Sequence, residues 1–268
     1  LATMKASRRK EQAQLLEKAH AKDHIKALNK LTSIVDGRRV IVDNPPIVTH
    51  SEHGEAERTE RVFGVVADYR ESLSADRQEL LDRYRFVDYA RKVVGVGSVG
   101  TRAWILLLLG RDDQDPLFLQ AKEAQESVLE RFVGKSQYAN SGQRVVAGQR
   151  LMQAASDIFL GWHRLTGLDG QVRDFYIRQL RDWKGSADVD TMAASAMTLY
   201  ARICAATLAR AHARSGDRIA IASYLGNSDV FDQAIADFSS AYADQNERDY
   251  QALAQAVDSG RVVAKTGL

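Results

Sequence analysis

The chain has 268 residues, of which 45% are hydrophobic and 27% charged, and a formal net charge of +2. A chain of this length removes about 70–75% of its unfolded surface from water on folding, which excludes dependence on covalent staples; its apolar content excludes intrinsic disorder and its even charge excludes a general polyanion binder. One cysteine, Cys204, excludes a disulfide framework and Cys-rich metal sites, and the longest apolar run, 104–109, is far short of the ~20 residues of a membrane-crossing helix. No charged-then-apolar leader follows Leu1, so a soluble, cytoplasmic protein of a reducing compartment is expected.

Residues 4–31 carry Leu15, Leu16, Ala19, Ile25, Leu28 and Leu31 at helical spacing with no Gly or Pro, which predicts a long polar helix. Residues 1–40 hold ten Lys or Arg against four acids, whereas 229–258 hold seven acids and only Arg248. The small net charge therefore hides two oppositely charged ends, read as solvated faces. The Arg8, Arg9, Lys10 cluster lacks interleaved aromatics, which argues against nucleic acid as a partner. Asp36 and Gly37 sit between polar and β-branched runs, 39–42 reads as a short strand, and Pro45 and Pro46 stop it. A polar loop over 49–57 precedes helical patterns over 56–69 and 74–84, the second with Ser74 placed to cap an orphan amide.

The texture changes at Lys92, Val93 and Val94, which lead into the glycine-rich 95–101. Segments 103–109 and 117–121 read as strands about a turn at 110–116, the second ending at Lys122. Helical patterns follow to about Phe132 and over 142–156, then a strand over 175–180 and a polar segment over 181–190. The remainder is helical, broken near Gly216, Gly226 and Gly260.

Gly95, Gly97 and Gly100 fit a G-x-G-x-x-G pattern, whose glycines permit tight turning and close backbone approach to phosphates. A dinucleotide fold requires a helix directly after them, and 103–109 is too short for one. A nucleophile elbow at Ser98 requires glycine where Val96 stands. A kinase-type loop requires strand, glycine turn, strand, then a lysine on the third strand, and Lys122 stands 22 residues beyond Gly100. On that reading Gly95, Gly97, Ser98, Gly100 and Thr101 cap phosphates and Lys122 sets its ammonium against them. The alternative is an ordinary hairpin turn with a strand-end lysine in solvent. Glu126 and Glu130 are the available carboxylate partners for Lys122, and 142–156 carries no acid.

Several strings together carry a resemblance: Val94-Gly-Val-Gly-Ser-Val-Gly-Thr-Arg102, Leu119-Gln-Ala-Lys-Glu-Ala124, Gly142-Gln-Arg-Val-Val146, Gly148-Gln-Arg-Leu-Met-Gln153, Tyr176-Ile-Arg-Gln-Leu-Arg-Asp182 and Leu208-Ala-Arg-Ala-His-Ala-Arg-Ser-Gly-Asp217. The chain resembles the bacterial domain-of-unknown-function family DUF2252, grouped with protein-kinase-like and aminoglycoside-phosphotransferase-like folds. The resemblance implies ATP and Mg²⁺ as cofactors, and a connector over 176–182, including Gln179 and Arg181, whose backbone would meet an adenine. It implies that 192–213 is a long central helix; Met197, Tyr200, Cys204, Leu208 and Ala211 share one face, so Cys204 is expected in the core. Phosphotransferases of this type carry His-Gly-Asp with Asn five residues later. Here the fifth residue after Asp217 is Ala222, so Gly216 and Asp217 read instead as a helix end with Gly216 in the left-handed cap. Relatives bear Gly-Asp-x-His-x-x-Asn and Asp-Phe-Asp type motifs ahead of the glycine loop, and neither occurs in residues 1–94.

His20 with His24, and His50 with His53, read as surface histidines with no third metal ligand. Arg178, Arg181, Asp182 and Lys184 read either as a polar cluster at the lobe connection or as a structural ion-pair network. The expected fold is α+β and protein-kinase-like, in a circularly permuted order: a helical and hairpin segment 1–84, a β-rich nucleotide lobe 85–185, and a helical segment 186–268. The expected function is an ATP-binding phosphotransferase domain of unknown acceptor, without its catalytic Asp and Asn in this chain. The alternative is a non-catalytic, pseudokinase-like interaction scaffold.

Overall fold

The computed structural model describes residues 24–50, 64–93, 95, 100–167, 169–180 and 187–264, with side chains from Ala27 onward. It is a mixed α+β chain with antiparallel sheets, in two compact units, Leu1–Leu208 and Ala209–Leu268. The first unit opens with α1 (His24–Leu31) and a hairpin of β1 (Thr32–Val35) and β2 (Arg38–Ile41). The hairpin turns on Asp36 and Gly37, both with positive φ (49° and 75°), the backbone that matches the twist of two-residue hairpins. Then come β3 (Val48–Thr49), a helical stretch over 64–70, α2 (Ala75–Leu81), β4 (Arg85–Lys92), β5 (Ala103–Leu109) and β6 (Pro116–Ala124). The short α3 (Glu130–Val133), α4 (Ser141–Met152), β7 (Gly161–Thr166) and β8 (Val172–Gln179) complete its sheet, and α5 (Ala194–Ser215) follows. Strands β3 to β8 form one six-stranded antiparallel sheet of order β3-β4-β5-β6-β8-β7.

Side chains alternate between the two faces of a strand, and both faces of this sheet are covered. Leu106, Leu108, Leu117, Leu119, Ala121, Phe175 and Ile177 pack with Tyr69, Leu73, Leu81 and Phe159. Ala90, Ile105, Leu107, Leu109 and Phe118, on the other face, pack with Ala27 and Leu28 of α1, Ile41 and Val48. Burial on both sides explains why β5 reads Ala-Trp-Ile-Leu-Leu-Leu-Leu with no polar alternation. Helix α4 lies across β6, β7 and β8. It seats closely because of Gly142: a Cβ there would stand 2.2 Å from the Phe175 carbonyl oxygen.

The second unit holds α6 (Arg218–Leu225) and α7 (Val230–Asp258). Asp217 caps α6, its carboxylate accepting from the amides of Ile219 (2.9 Å) and Ala220 (3.1 Å). Phe231 meets Tyr224 edge-on at 5.9 Å, and Phe238 stacks on Tyr242 at 5.8 Å. No helix among the described residues is long and apolar enough to cross a membrane.

Several expectations are corrected. Strand β4 starts at Arg85, well before the short Lys92–Val94 lead, and β7 occupies residues that had no assigned element. Strand β6 runs on to Ala124, so Lys122 lies inside it rather than at its end. Ser74 stands at the N-cap of α2 without bonding an amide, since its hydroxyl donates to Asp76 instead (2.6 Å). Helix α5 does end at Ser215, directly before Gly216, but Gly216 does not adopt positive φ, and Asp217 caps the helix that follows. Cys204 is exposed, and α5 has no buried residue, so its apolar stripe is not in the core. Residues 4–23 of the expected first helix lie outside the described residues, and 24–31 are helical.

The close approach at Gly142 sets a test. Gly142→Ala should destabilise the chain by about 1–3 kcal/mol, the range for forcing a methyl group into filled space. Gly148→Ala, one helix face away with nothing within 4 Å, should be neutral or stabilising by up to about 1 kcal/mol. Urea midpoints of the two variants check this, and equal midpoints would exclude the steric account.

Candidate functional site

The connection from β4 to β5 carries the glycines. Gly95 and Gly100 both have positive φ (35° and 84°), and a Cβ at either would meet nothing within 4 Å. The backbone conformation, not crowding, therefore requires glycine there. The chain then re-enters the sheet: the Glu123 amide donates to the Arg102 carbonyl (2.8 Å), and the Arg102 amide to the Glu123 carboxylate (3.0 Å). Ala103, the first residue of β5, lies directly opposite Lys122. Gly100, Thr101 and Lys122 are thus brought to one end of the sheet. Gly97, Ser98 and Arg181 lie outside the described residues.

Register fixes which side chains accompany Lys122. Ala103, Lys122, Tyr176 and Trp162 are successive cross-strand partners and form one row on one face. Ala90, Ile105, Gln120 and Arg178 form the next row on that face. Arg150 of α4 lies over the Trp162 ring (5.9 Å), which puts α4 on the face that bears Lys122. Burial, and then the nearby Arg178 guanidinium, pull the Lys122 ammonium below its ordinary pKa. Among the described residues Arg178 reaches only Gln120 Oε1, at 3.5 Å, and its buried Nε has no acceptor. Among the described residues no carboxylate pairs with either cation. Glu126 pairs with Lys135 (2.9 Å) and Glu130 with Arg144 (3.3 Å), so neither expected glutamate partners Lys122.

Asp174, two residues from Tyr176 on the Lys122 face, pairs instead with Arg164 (2.6 Å). On the opposite face Glu123 meets Arg102 (3.4 Å) and Arg173 (4.0 Å), and Arg173 meets Asp169 (2.6 Å). The Arg173 hydrogen bond and the Gln171 amide hold the Asp169 carboxyl well below the usual carboxylate range. That face also has an apolar cavity of about 320 Å³ lined by Trp104, Leu106, Leu165 and Phe175, with His163 in its wall. Burial pushes the His163 imidazole below its ordinary pKa. Gln179 follows the alternation of Phe175 and Ile177, on the face away from Lys122. Its amide donates to Asp157 (2.6 Å) and the next, Leu180, donates to the Phe118 carbonyl (2.9 Å). Among the described residues no group of three His, Cys, Asp or Glu is placed to hold a metal ion.

One polar cluster has no counterpart in the sequence reading. His50, read as a surface histidine, bridges Asp43 (2.9 Å) and Asp88 (3.0 Å), and Asp88 also accepts from the Ile41 amide (2.7 Å). The cluster ties the β2 edge to β4 beside a polar cavity of about 1020 Å³ that Arg38, Arg39 and Arg85 also line. The available signal was the pairing of one histidine with two aspartates, but these stand 7 and 38 residues away.

A family model described as "Uncharacterized protein conserved in bacteria (DUF2252)" matches residues 2–256. The chain belongs to the DUF2252 family. No curated protein and no solved structure matches it. The DUF2252 match spans the sheet, the glycine connection, α4 and nearly all of α7.

The His50 bridge gives a pH-dependent contribution of known sign. The Asp88 hydrogen bond, ahead of the Asp43 bond and both charges, raises the His50 pKa above 6.5 despite burial. A raised folded value means that the contribution is complete below pH 6.5 and fades as pH climbs through the folded pKa. The difference in thermal midpoint between the wild type and His50→Gln should therefore shrink between about pH 6 and about pH 9. A difference that stays constant across that window excludes a charged bridge.

Proposed function

We propose that the chain binds a nucleoside triphosphate on the Lys122 face of its sheet, as the small lobe of a kinase-like phosphotransferase domain. The observation that carries this is the register of β5 and β6, which sets Lys122 directly opposite Ala103, the first residue of the strand that follows the glycine turn. An ammonium at the mouth of a turn whose backbone demands glycine can meet phosphate oxygens that the turn's amides also reach. The order β4-β5-β6-β8-β7 supports the reading: a glycine turn joins the first two strands, the lysine lies on the third, and α4 precedes the remaining pair in the chain. The half-buried Lys122 and Arg178, without carboxylate partners among the described residues, fit an anionic ligand.

The adenine contact expected near Gln179 is not supported by that residue's amide, which is spent on Asp157. The described residues also offer no carboxylate cluster for Mg²⁺, so no protein ligand is assigned to it. A scaffold role draws support from a separate observation in the second unit. There Val230 (71%) and Phe238 (63%) expose large apolar side chains on the acidic helical segment, and Tyr224 (79%) on the helix before it. Phosphate release or self-phosphorylation by this chain would count against a purely non-catalytic scaffold.

ATP with Mg²⁺ should raise the thermal midpoint, and Lys122→Met should abolish most of the rise. Ligand at 100 times its Kd adds about 2.7 kcal/mol of stability, well within detection. A folded wild type that shows no shift at millimolar nucleotide would overturn the proposal.

A further inference from the structure

We infer that Arg178 is a second phosphate-contacting cation of the Lys122 site, and that the pair selects ligands with at least two linked phosphoryl groups. The inference rests on the nucleotide reading above and specifies what that site recognises. Lys122 and Arg178 stand on neighbouring strands, β6 and β8, two residues apart in register and on the same face. Diagonal neighbours of this kind are about 7–8 Å apart at the backbone, within the joint reach of two long side chains. The separation suits two cations each holding one phosphoryl group of a diphosphate, with Arg178 presenting a planar fork.

Arg178 stands apart from the other arginines around it. Arg144 and Arg164 each hold a carboxylate, and Arg150 of α4 donates to the Leu160 carbonyl (2.7 Å). Among the described residues Arg178 has only the Gln120 oxygen at 3.5 Å, and its buried Nε has no acceptor. A buried guanidinium donor without an acceptor is costly, and a second cation nearby adds repulsion. Lys122 supplies that repulsion, and its own ammonium has no hydrogen-bonding or ion-pairing partner among the described residues. Two linked phosphoryl groups spanning the pair remove both penalties together, whereas a single phosphoryl group, too small to bridge a separation of about 7–8 Å, answers only one cation. Helix α4, which covers part of this face, contributes no acid to compete with such a ligand.

Calorimetric titration of the full chain with ADP, AMP and inorganic pyrophosphate tests the pair. The wild type should bind ADP at least about tenfold more tightly than AMP, the value of one charge-assisted contact, and pyrophosphate should displace ADP. Arg178→Gln should lose that preference while its AMP affinity stays within about twofold, and Arg178→Lys should restore part of it. If Arg178→Gln keeps the wild-type ADP-to-AMP ratio while Lys122→Met loses binding, the nucleotide site stands and the twin-cation inference fails. If the wild type binds none of the three ligands, both fail. Should Arg178→Gln not fold, thermal shifts of the wild type decide: equal shifts with pyrophosphate and phosphate overturn the inference, and a shift with pyrophosphate alone upholds it.

Discussion

The antiparallel pairing of β5 with β6 is the constraint on which the first unit depends. Seven consecutive partners, from Ala103 opposite Lys122 to Leu109 opposite Pro116, lock two strands that are buried on both faces. Each strand interior is therefore apolar in both directions, and a slip of one residue would move every buried side chain to the wrong core. Tyr69, Leu73 and Phe159 pack on one side, and Ala27, Leu28 and Ile41 on the other, because that register offers each of them a matching apolar surface. The hydrophobic term is non-directional, so its specificity here comes from alternation along the strands.

The same alternation sorts charge. On β6 Gln120 and Lys122 face one way and Ala121 and Glu123 the other; on β8 Tyr176 and Arg178 face with Lys122, while Phe175 and Ile177 face with Glu123. The result is a face whose acids, Asp88 and Asp174, are taken by His50 and Arg164 and leave Lys122 and Arg178 without a carboxylate among the described residues, and an opposite face where Arg102, Arg173, Glu123 and Asp169 balance one another. A site for an anion thus arises from register rather than from local sequence richness in basic residues, since Lys122 is followed immediately by Glu123.

The parts of the fold legible in the sequence were those with strong local signals. The run 103–109 reads as a strand because it is apolar, short and bounded by glycine, and the glycine turn with its downstream lysine reads from spacing alone. Strand β7, Gly-Trp-His-Arg-Leu-Thr, was not legible: its inward positions are Gly161, His163 and Leu165, a weak apolar signal for an edge strand. The stripe through Met197, Tyr200, Cys204 and Leu208 misled in the other direction, since periodicity identifies an apolar face but not what, if anything, covers it. Arg178 and His50 were out of reach because their neighbours, Gln120 and Asp88, lie 58 and 38 residues away and meet them only through strand pairing.

The turn that joins β5 to β6 acquires a role from this geometry. Gly110 donates its amide to the Asp115 carbonyl (2.8 Å), and a Cβ on Gly110 would strike the Asp115 carboxylate at 2.3 Å, so the turn closes on itself with no slack. Its length sets the register of the whole pair. A one-residue slip set there would hand Lys122 to the opposite face and bring Glu123 to the site, roughly 20 Å away along the strand. The polarity of the candidate site, attraction or repulsion of an anion, is thus written in the residue count of a distant hairpin loop, where parity matters more than composition.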